Sequence, residues 1–222
     1  MTQSNDSVVF SDMGEAALLC EHPVGPLDLT RQRRIWAVTR ALEGASGIRE
    51  LVPGMNNLLV VYDPIATHRE EICAQVETLW NTVTFDDAQM RIIEFPVVYG
   101  GEAGPDLSSL AEAAGLTPLD FATRHAQADY TVFALGAQPG FGYLGGLPNE
   151  LAAPRRCVIH PHVEAGRIII GGAQTAVQAS TTPSGWHMIG RTDVTCFDPR
   201  AKPPTILMPG DRVRFRLIEV LS

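Results

Sequence analysis

Along the first ninety positions apolar residues fall either in short runs or in stripes three and four apart, the two spacings that mark strands and helices. The apolar run within Gly14 to Glu21 predicts a buried strand. Ile35, Val38 and Leu42 then fall on one face of a helix for which Thr30 is the expected cap, and Gly44 to Gly47 stops it. Ile48 to Val52 and Asn57 to Asp63 flank Pro53, Gly54 and Asn56, which predicts a β-hairpin whose best-buried piece is Leu58 to Val61. A second helix carries Ile72, Val76, Leu79 and Trp80 as its buried stripe and opens with a Thr67-x-x-Glu70 capping box. Arg91 to Tyr99 closes the series as a strand with Ile93, Phe95, Val97 and Tyr99 on one face, and Pro96, which cannot donate to a ladder, assigns it to a sheet edge. Strand, helix, two strands, helix, strand is the split-βαβ, ferredoxin-like order.

Past Gly100 and Gly101 the texture changes. Asp106 to Ala114 and Pro118 to Ala126 predict short helices, the second introduced by Thr117 with Asp120. From Tyr130 on, β-prone runs at Tyr130 to Leu135, Arg167 to Ile170, Trp186 to Ile189, Asp193 to Phe197 and Arg212 to Val220 are separated by loops rich in Gly and Pro, a spacing that indicates a closed or sandwiched all-β domain. The expected class is α+β with a boundary near residues 88 to 100: residues 1–90 form a ferredoxin-like βαββαβ domain and residues 91–222 a β-domain carrying the candidate site.

Composition narrows the roles open to such a chain. The 222 residues carry a formal net charge of -8, which repels a phosphate backbone, and no basic cluster reverses it locally, so nucleic acid is an unfavourable partner. No run of about 18 apolar residues could span a bilayer. The first residues, Met1 to Asp12, lack the basic start and apolar core of a secretion signal, so a cytoplasmic protein without membrane attachment is expected. Cys20, Cys73, Cys157 and Cys196 lie far apart with no C-x-x-C pair, which reads as reduced thiols. Lys202 is the only lysine, so Schiff-base chemistry and a lysine-bearing phosphate loop find no support, and an anion would be held by arginine or backbone N–H groups.

Four segments could carry chemistry, each with a purely structural alternative. Gln138 to Pro148 is rich in glycine, which lets backbone approach a ligand, with Phe141 as a wall and Tyr143 as a hydroxyl; equally it is a tight β-connection with buried aromatics. Gly171 to Thr175 could aim amides and the Gln174 side chain at a developing oxyanion, or form a β-bulge with Gln174 exposed. Pro183 to Thr192 offers an aromatic platform, Trp186, and an arginine, Arg191, or a turn, a core tryptophan and a surface arginine. His125, at the end of a predicted helix, suits either a capping cation or a general base. His160 and His162 could share a strand face, but no third ligand of matching character is close in sequence, and no metal is expected. Neither G-x-S-x-G nor H-E-x-x-H occurs.

Taken in chain order, Gly100-Gly101-Glu102, Gly104-Pro105-Asp106-Leu107, His125, Pro139 to Leu147, Pro154-Arg155-Arg156, Gly172-Ala173-Gln174-Thr175, Gly185-Trp186, Ile189-Gly190-Arg191-Thr192 and Pro209 to Phe215 resemble one family, that of 5-oxoprolinase B subunits, KipI-type proteins and allophanate hydrolase subunit 1. Gly14 to Leu19 and Leu58 to Asp63 extend the resemblance over nearly the whole chain. It implies a ferredoxin-like domain joined to a cyclophilin-like β-barrel. It also implies a complex with a C subunit, related to allophanate hydrolase subunit 2, and with an A subunit of LamB/YcsF type, hydrolysing 5-oxoproline (pyroglutamate) to glutamate. ATP is then the co-substrate, its site lying in, or shared with, a partner of this chain. A lactam is a poor electrophile until its oxygen is phosphorylated, after which water attack needs oxyanion stabilisation and charge neutralisation. Under the resemblance Gln174 with the backbone of Gly140, Gly142 and Gly172 suits the first need and Arg191 the second, Phe141, Tyr143 and Trp186 form the binding wall, and His125 is the candidate proton shuttle.

Two stretches depart from the family's pattern. Where relatives usually read a second Pro-Arg and then Val-Pro-Ala-Gly-Ser, this chain has His160 to Arg167, and where they usually carry Gly-Ile-Tyr-Pro it has Ala176-Val177-Gln178-Ala179. Both border the expected pocket and open the substrate question. The alternatives are another small amide or urea-like acid, a KipI-like regulator inhibiting a histidine kinase, or a component of urea or allophanate metabolism.

Overall fold

Strands β1 (Val9–Asp12), β2 (Ala17–Glu21), β3 (Ile48–Pro53) and β4 (Asn57–Tyr62) form an antiparallel sheet in the order β1-β2-β4-β3. Alternation along β4 buries Leu58, Val60 and Tyr62, which share a core with Leu18 and Cys20 of β2. Two helices complete that core: α1 (Leu29–Leu42) contributes Ile35, Val38 and Leu42, and α2 (Arg69–Thr82) contributes Ile72, Val76 and Trp80. The computed structural model describes residues 7–21, 28–85 and 90–221. The chain divides into two compact units, Met1–Gln89 and Met90–Ser222, and this sheet with its helices makes up the first.

Both helical stripes fall where the sequence puts them, but the caps differ. Asp28, not Thr30, caps α1, its carboxylate accepting from the Arg31 amide at 2.8 Å. In α2 the N-cap position belongs to His68, so Glu71 rather than Glu70 stands three residues on. The Thr67 hydroxyl accordingly donates to Glu71 Oε2 at 2.8 Å, and the expected Thr67–Glu70 capping box does not form.

A larger correction concerns the strand expected to close the first unit. The edge beside β2 is filled by β1, whereas β5 (Ile92–Gly100) belongs to the second unit. There it is followed by α3 (Leu107–Ala113), α4 (Pro118–Gln127), β6 (Tyr130–Leu135), β7 (Gly142–Gly145), β8 (His160–Val163), β9 (Arg167–Gly171), β10 (Gln174–Val177), β11 (Thr182–Ser184), β12 (His187–Arg191) and β13 (Arg212–Leu221). Seven of these strands close a barrel in the order β10-β7-β6-β13-β5-β12-β9, and β8 pairs with β11 as a separate ribbon. The structure is thus mixed α/β with a closed β-barrel.

Strand β5 runs parallel to β13, with Phe95 opposite Phe215, and antiparallel to β12. Pro96 therefore sits in the barrel wall and not at a sheet edge. Pairing with β12 begins only at Val98, so at Pro96 the strand faces β13 alone and the missing N–H removes no second ladder bond. Phe95, Val97 and Tyr99 share the inner face, as their alternation requires. Helix α4 buries Phe121, Ala122 and His125, and its Thr117 cap forms as expected, Oγ1 accepting from the Asp120 amide at 3.1 Å. The run Asp193 to Phe197 is not a strand. It makes a single isolated bridge, Phe197 to Thr205, and Thr192 Oγ1 takes the Val194 amide at 3.4 Å, a local bond that competes with a ladder.

Candidate functional site

Side chains on the outer face of the barrel wall form a second buried cluster from Phe141, Val163, Ile169, Ala176, Trp186 and Met188. Over it opens a cleft of about 550 Å³ lined by Ala137, Gln138, Phe141, Tyr143, Arg155, Arg156, Ile159, Gln178, Thr182 to Gly185 and Trp186. Three aromatics make its wall, with ring centroids 5.0 Å apart for Phe141 and Tyr143, 5.9 Å for Phe141 and Trp186, and 6.3 Å for Tyr143 and Trp186. Each pair meets edge to face, the arrangement that ring quadrupoles favour. Two glycines make this possible. Gly140 adopts φ +78°, and a Cβ there would lie 2.8 Å from the Cys196 carbonyl oxygen, so the turn that delivers Phe141 requires glycine. Gly171 lets the Trp186 indole lie directly on β9, since a Cβ would come within 2.6 Å of the ring.

Among the described residues the cleft is lined by two arginines and no carboxylate. Arg156 is already committed: Nη1 donates to Asp106 Oδ1 at 2.6 Å, and Asp106 Oδ2 accepts from the Met188 amide at 2.8 Å. Arg155 is different. Its guanidinium lies over the Trp186 ring, 5.6 Å from the centroid, and makes no hydrogen bond or ion pair with a described residue. A cation held on an aromatic face and free of a counter-charge is a ready partner for a carboxylate.

The sequence-predicted residues divide. Phe141, Tyr143 and Trp186 come together in the wall. Gly140 supports the turn behind it, and Gly142 faces inward against Leu207, because alternation along β7 sends Tyr143 out and its neighbours in. Gly172, bridged to Ala153, Gln174, half-buried at the start of β10, and Arg191, half-exposed with Nε 3.8 Å from Asp193, are not in the lining. His125 lies inside the barrel, 0% exposed, with Nδ1 2.9 Å from the Tyr99 hydroxyl and Nε2 3.0 Å from Thr175 Oγ1. Burial alone pushes its pKa down to about 3.

Sequence reasoning passed over Arg155, Arg156, Gln138 and Gln178 as site residues. The arginine doublet was visible in a chain with one lysine, and Gln178 stands within the second departing stretch. Among the described residues no group of three or more His, Cys, Asp or Glu side chains is gathered where a metal could be held. No described helix is long and apolar enough to cross a membrane.

Residues 8–207 match the carboxyltransferase domain, subdomain C and D. The chain belongs to that family. It is 41% identical over 203 residues to the B subunit of 5-oxoprolinase from Haemophilus influenzae, spanning 91% of this chain and 94% of the relative. It is 39% identical to the B subunit of 5-oxoprolinase from Escherichia coli O157:H7, spanning 91% and 93%. The solved structure of TTHA0988 superposes with a TM-score of 0.78 at 30% identity over 91% of this chain but 40% of that one, so this chain spans about 40% of TTHA0988. The K. lactis urea amidolyase superposes with a TM-score of 0.79 at 19% identity, over 98% of this chain and 15% of that one, which shows the fold alone.

Proposed function

We propose that the chain is the B-type subunit of an ATP-dependent 5-oxoprolinase, opening 5-oxoproline to glutamate in complex with a C subunit (allophanate hydrolase subunit 2-like) and an A subunit (LamB/YcsF-like). The observation that carries the reading is Arg155, a guanidinium over Trp186 in an aromatic cleft, with neither a hydrogen-bond partner for it nor a carboxylate in the lining among the described residues, within a chain similar over 91% of its length to 5-oxoprolinase B subunits. The guanidinium fork takes the substrate carboxylate, and Phe141, Tyr143 and Trp186 cover the methylene face of the ring. In the reaction the lactam oxygen takes the terminal phosphoryl group of ATP and ADP leaves; one water then bonds to the ring carbonyl carbon as the carbon–nitrogen bond breaks and the nitrogen gains a proton, and a second water hydrolyses the resulting acyl phosphate to glutamate and phosphate.

This reading moves the carboxylate anchor from Arg191 to Arg155. It gives His125 a positioning role inside the barrel, because a sealed ring that stays neutral cannot shuttle protons at the cleft. Gln174 stays at the border, on the same face of β10 as Ala176 of the cluster beneath the cleft. Lys202 lies outside the cleft, and the reading assigns ATP to a partner subunit or to a surface shared with one. It also takes the protein as cytoplasmic, residues 91–222 as a cyclophilin-like barrel bearing the site, and the first unit as a ferredoxin-like variant whose fourth strand is β1.

The test is reconstitution. The purified chain, mixed with the two partner subunits, is expected to release ADP and glutamate from 5-oxoproline and ATP, and to do neither alone. No release from a complex whose subunits are each folded by circular dichroism would overturn the proposal.

A further inference from the structure

Two glutamines in the cleft are held in opposite senses by one residue. Gln178 Nε2 donates to the Ser180 carbonyl at 3.0 Å and to Thr182 Oγ1 at 2.7 Å. A carbonyl oxygen only accepts, so the nitrogen of this amide must face Ser180, and both its hydrogens are committed. Gln178 is 2% exposed, yet its Oε1 takes no hydrogen bond from a described residue and is not among the atoms sealed without a partner, so it opens on the cleft that Gln178 lines. Gln138 is turned the other way. Its Oε1 accepts from the Ser180 amide at 2.9 Å and from the Ser180 hydroxyl. A backbone N–H only donates, so Oε1 is fixed on Ser180, and Nε2, with no hydrogen bond to a described residue, is left to the cleft that Gln138 lines.

We propose that this pair reads the edge of a secondary amide, Gln178 Oε1 accepting from the ring N–H and Gln138 Nε2 donating to the ring carbonyl oxygen, while Arg155 holds the carboxylate. The ligand class is a small cyclic amide bearing a carboxylate, and its identity as 5-oxoproline rests on the reading given above. Selectivity follows from burial. A ligand lacking the N–H leaves the Gln178 acceptor desolvated and unmatched, a loss of roughly tenfold or more in affinity. Ser180 is a positioning residue: it touches no ligand, but without its carbonyl and its two donors either amide could turn over.

Equilibrium binding to the full complex, with a non-hydrolysable ATP analogue present, tests the pair through three probes: 5-oxoproline, the lactone with ring oxygen in place of N–H, and 2-pyrrolidinone, which lacks the carboxylate. The wild-type complex is expected to prefer the lactam to the lactone at least about tenfold. Gln178→Met is expected to erase that preference, Gln138→Met to weaken both acids alike, and Arg155→Ala to weaken both acids while leaving 2-pyrrolidinone unchanged. The wild-type comparison needs no variant, so misfolding of Gln178→Met cannot shelter the proposal. Equal binding of lactam and lactone by the wild type, binding of neither, or a preference retained in folded Gln178→Met overturns it. Turnover is scored separately: turnover of 5-oxoproline without a lactam preference sinks the amide-reading pair alone, and lactam-selective binding without turnover sinks the 5-oxoprolinase reading alone.

Discussion

Tyr99 donates its hydroxyl proton to Nδ1 of His125 across 2.9 Å inside the barrel. The far side of the ring sets the direction. Thr175 Oγ1 gives its own proton to the Ile169 carbonyl at 2.9 Å and can therefore only accept from His125 Nε2. The ring is the Nε2–H tautomer, satisfied at both nitrogens, with its centroid 4.7 Å from that of Phe215 and 5.3 Å from that of Tyr130. A charged imidazolium would have to turn one donor onto a donor, in surroundings that already push the pKa down to about 3.

Acid should therefore unfold the protein partly through this ring. Below the ordinary histidine pKa the unfolded chain takes a proton that the folded chain refuses, so stability falls with pH from about 6.5 down to about 3, at roughly 1.4 kcal/mol per pH unit once the unfolded ring is fully charged. Unfolding free energies from urea titrations at pH 7 and pH 5 should differ by about 2 kcal/mol from this group. His125→Gln, which keeps a donor and an acceptor, should lose that component of the slope.

Steady-state kinetics of the reconstituted complex should report Arg155 as a binding residue. Arg155→Ala is expected to raise KM for 5-oxoproline by roughly 10- to 100-fold with kcat little changed, the signature of a contact made equally in ground and transition states. Arg155→Lys should recover only part of the loss, since a point charge replaces a planar fork. An unchanged KM in folded Arg155→Ala would remove the anchor.

Asp106 ties the floor of the cleft together by accepting from Arg156 and from the Met188 amide. Asp106→Ala leaves a part-buried guanidinium and a buried N–H unpaired, and should cost about 1–3 kcal/mol in chemical denaturation. Asp106→Asn should lose less, because its carbonyl oxygen can still accept from Met188.

Replacing Gly140 should damage stability and binding together. Alanine at φ +78° is strained, and its methyl would press on the Cys196 carbonyl, 2.8 Å away. A loss of roughly 1–3 kcal/mol is expected, with a higher KM because Phe141 moves with the turn. Thermal unfolding and kinetics on one preparation measure both.

Local pattern carried part of this far. The strand over Asn57–Tyr62, the helical stripe ending at Trp80 and the Thr117 cap are set by residues within a turn or two of one another and appear where the sequence puts them, although β4 buries Leu58, Val60 and Tyr62 in alternation and not the continuous piece Leu58 to Val61. The placement of β5 was not legible, because its long partner β13 lies more than a hundred residues away in the chain and the proline at 96 argued for an edge. At the cleft the aromatic wall announced itself through glycine-flanked Phe141 and Tyr143. The sense of Gln138 and Gln178 did not, since it depends on which atoms of Ser180 each amide meets, and sequence spacing carries no such information.

Strand β13 stands between β5 and β6 and is the last barrel strand in chain order. Until Arg212–Leu221 has left the ribosome, a growing chain has a gap in the wall and wets the apolar interior that Phe95 and Tyr130 line. The second unit is accordingly expected to close only once β13 has been synthesised, with an interval of exposed greasy surface that a holding chaperone would shield.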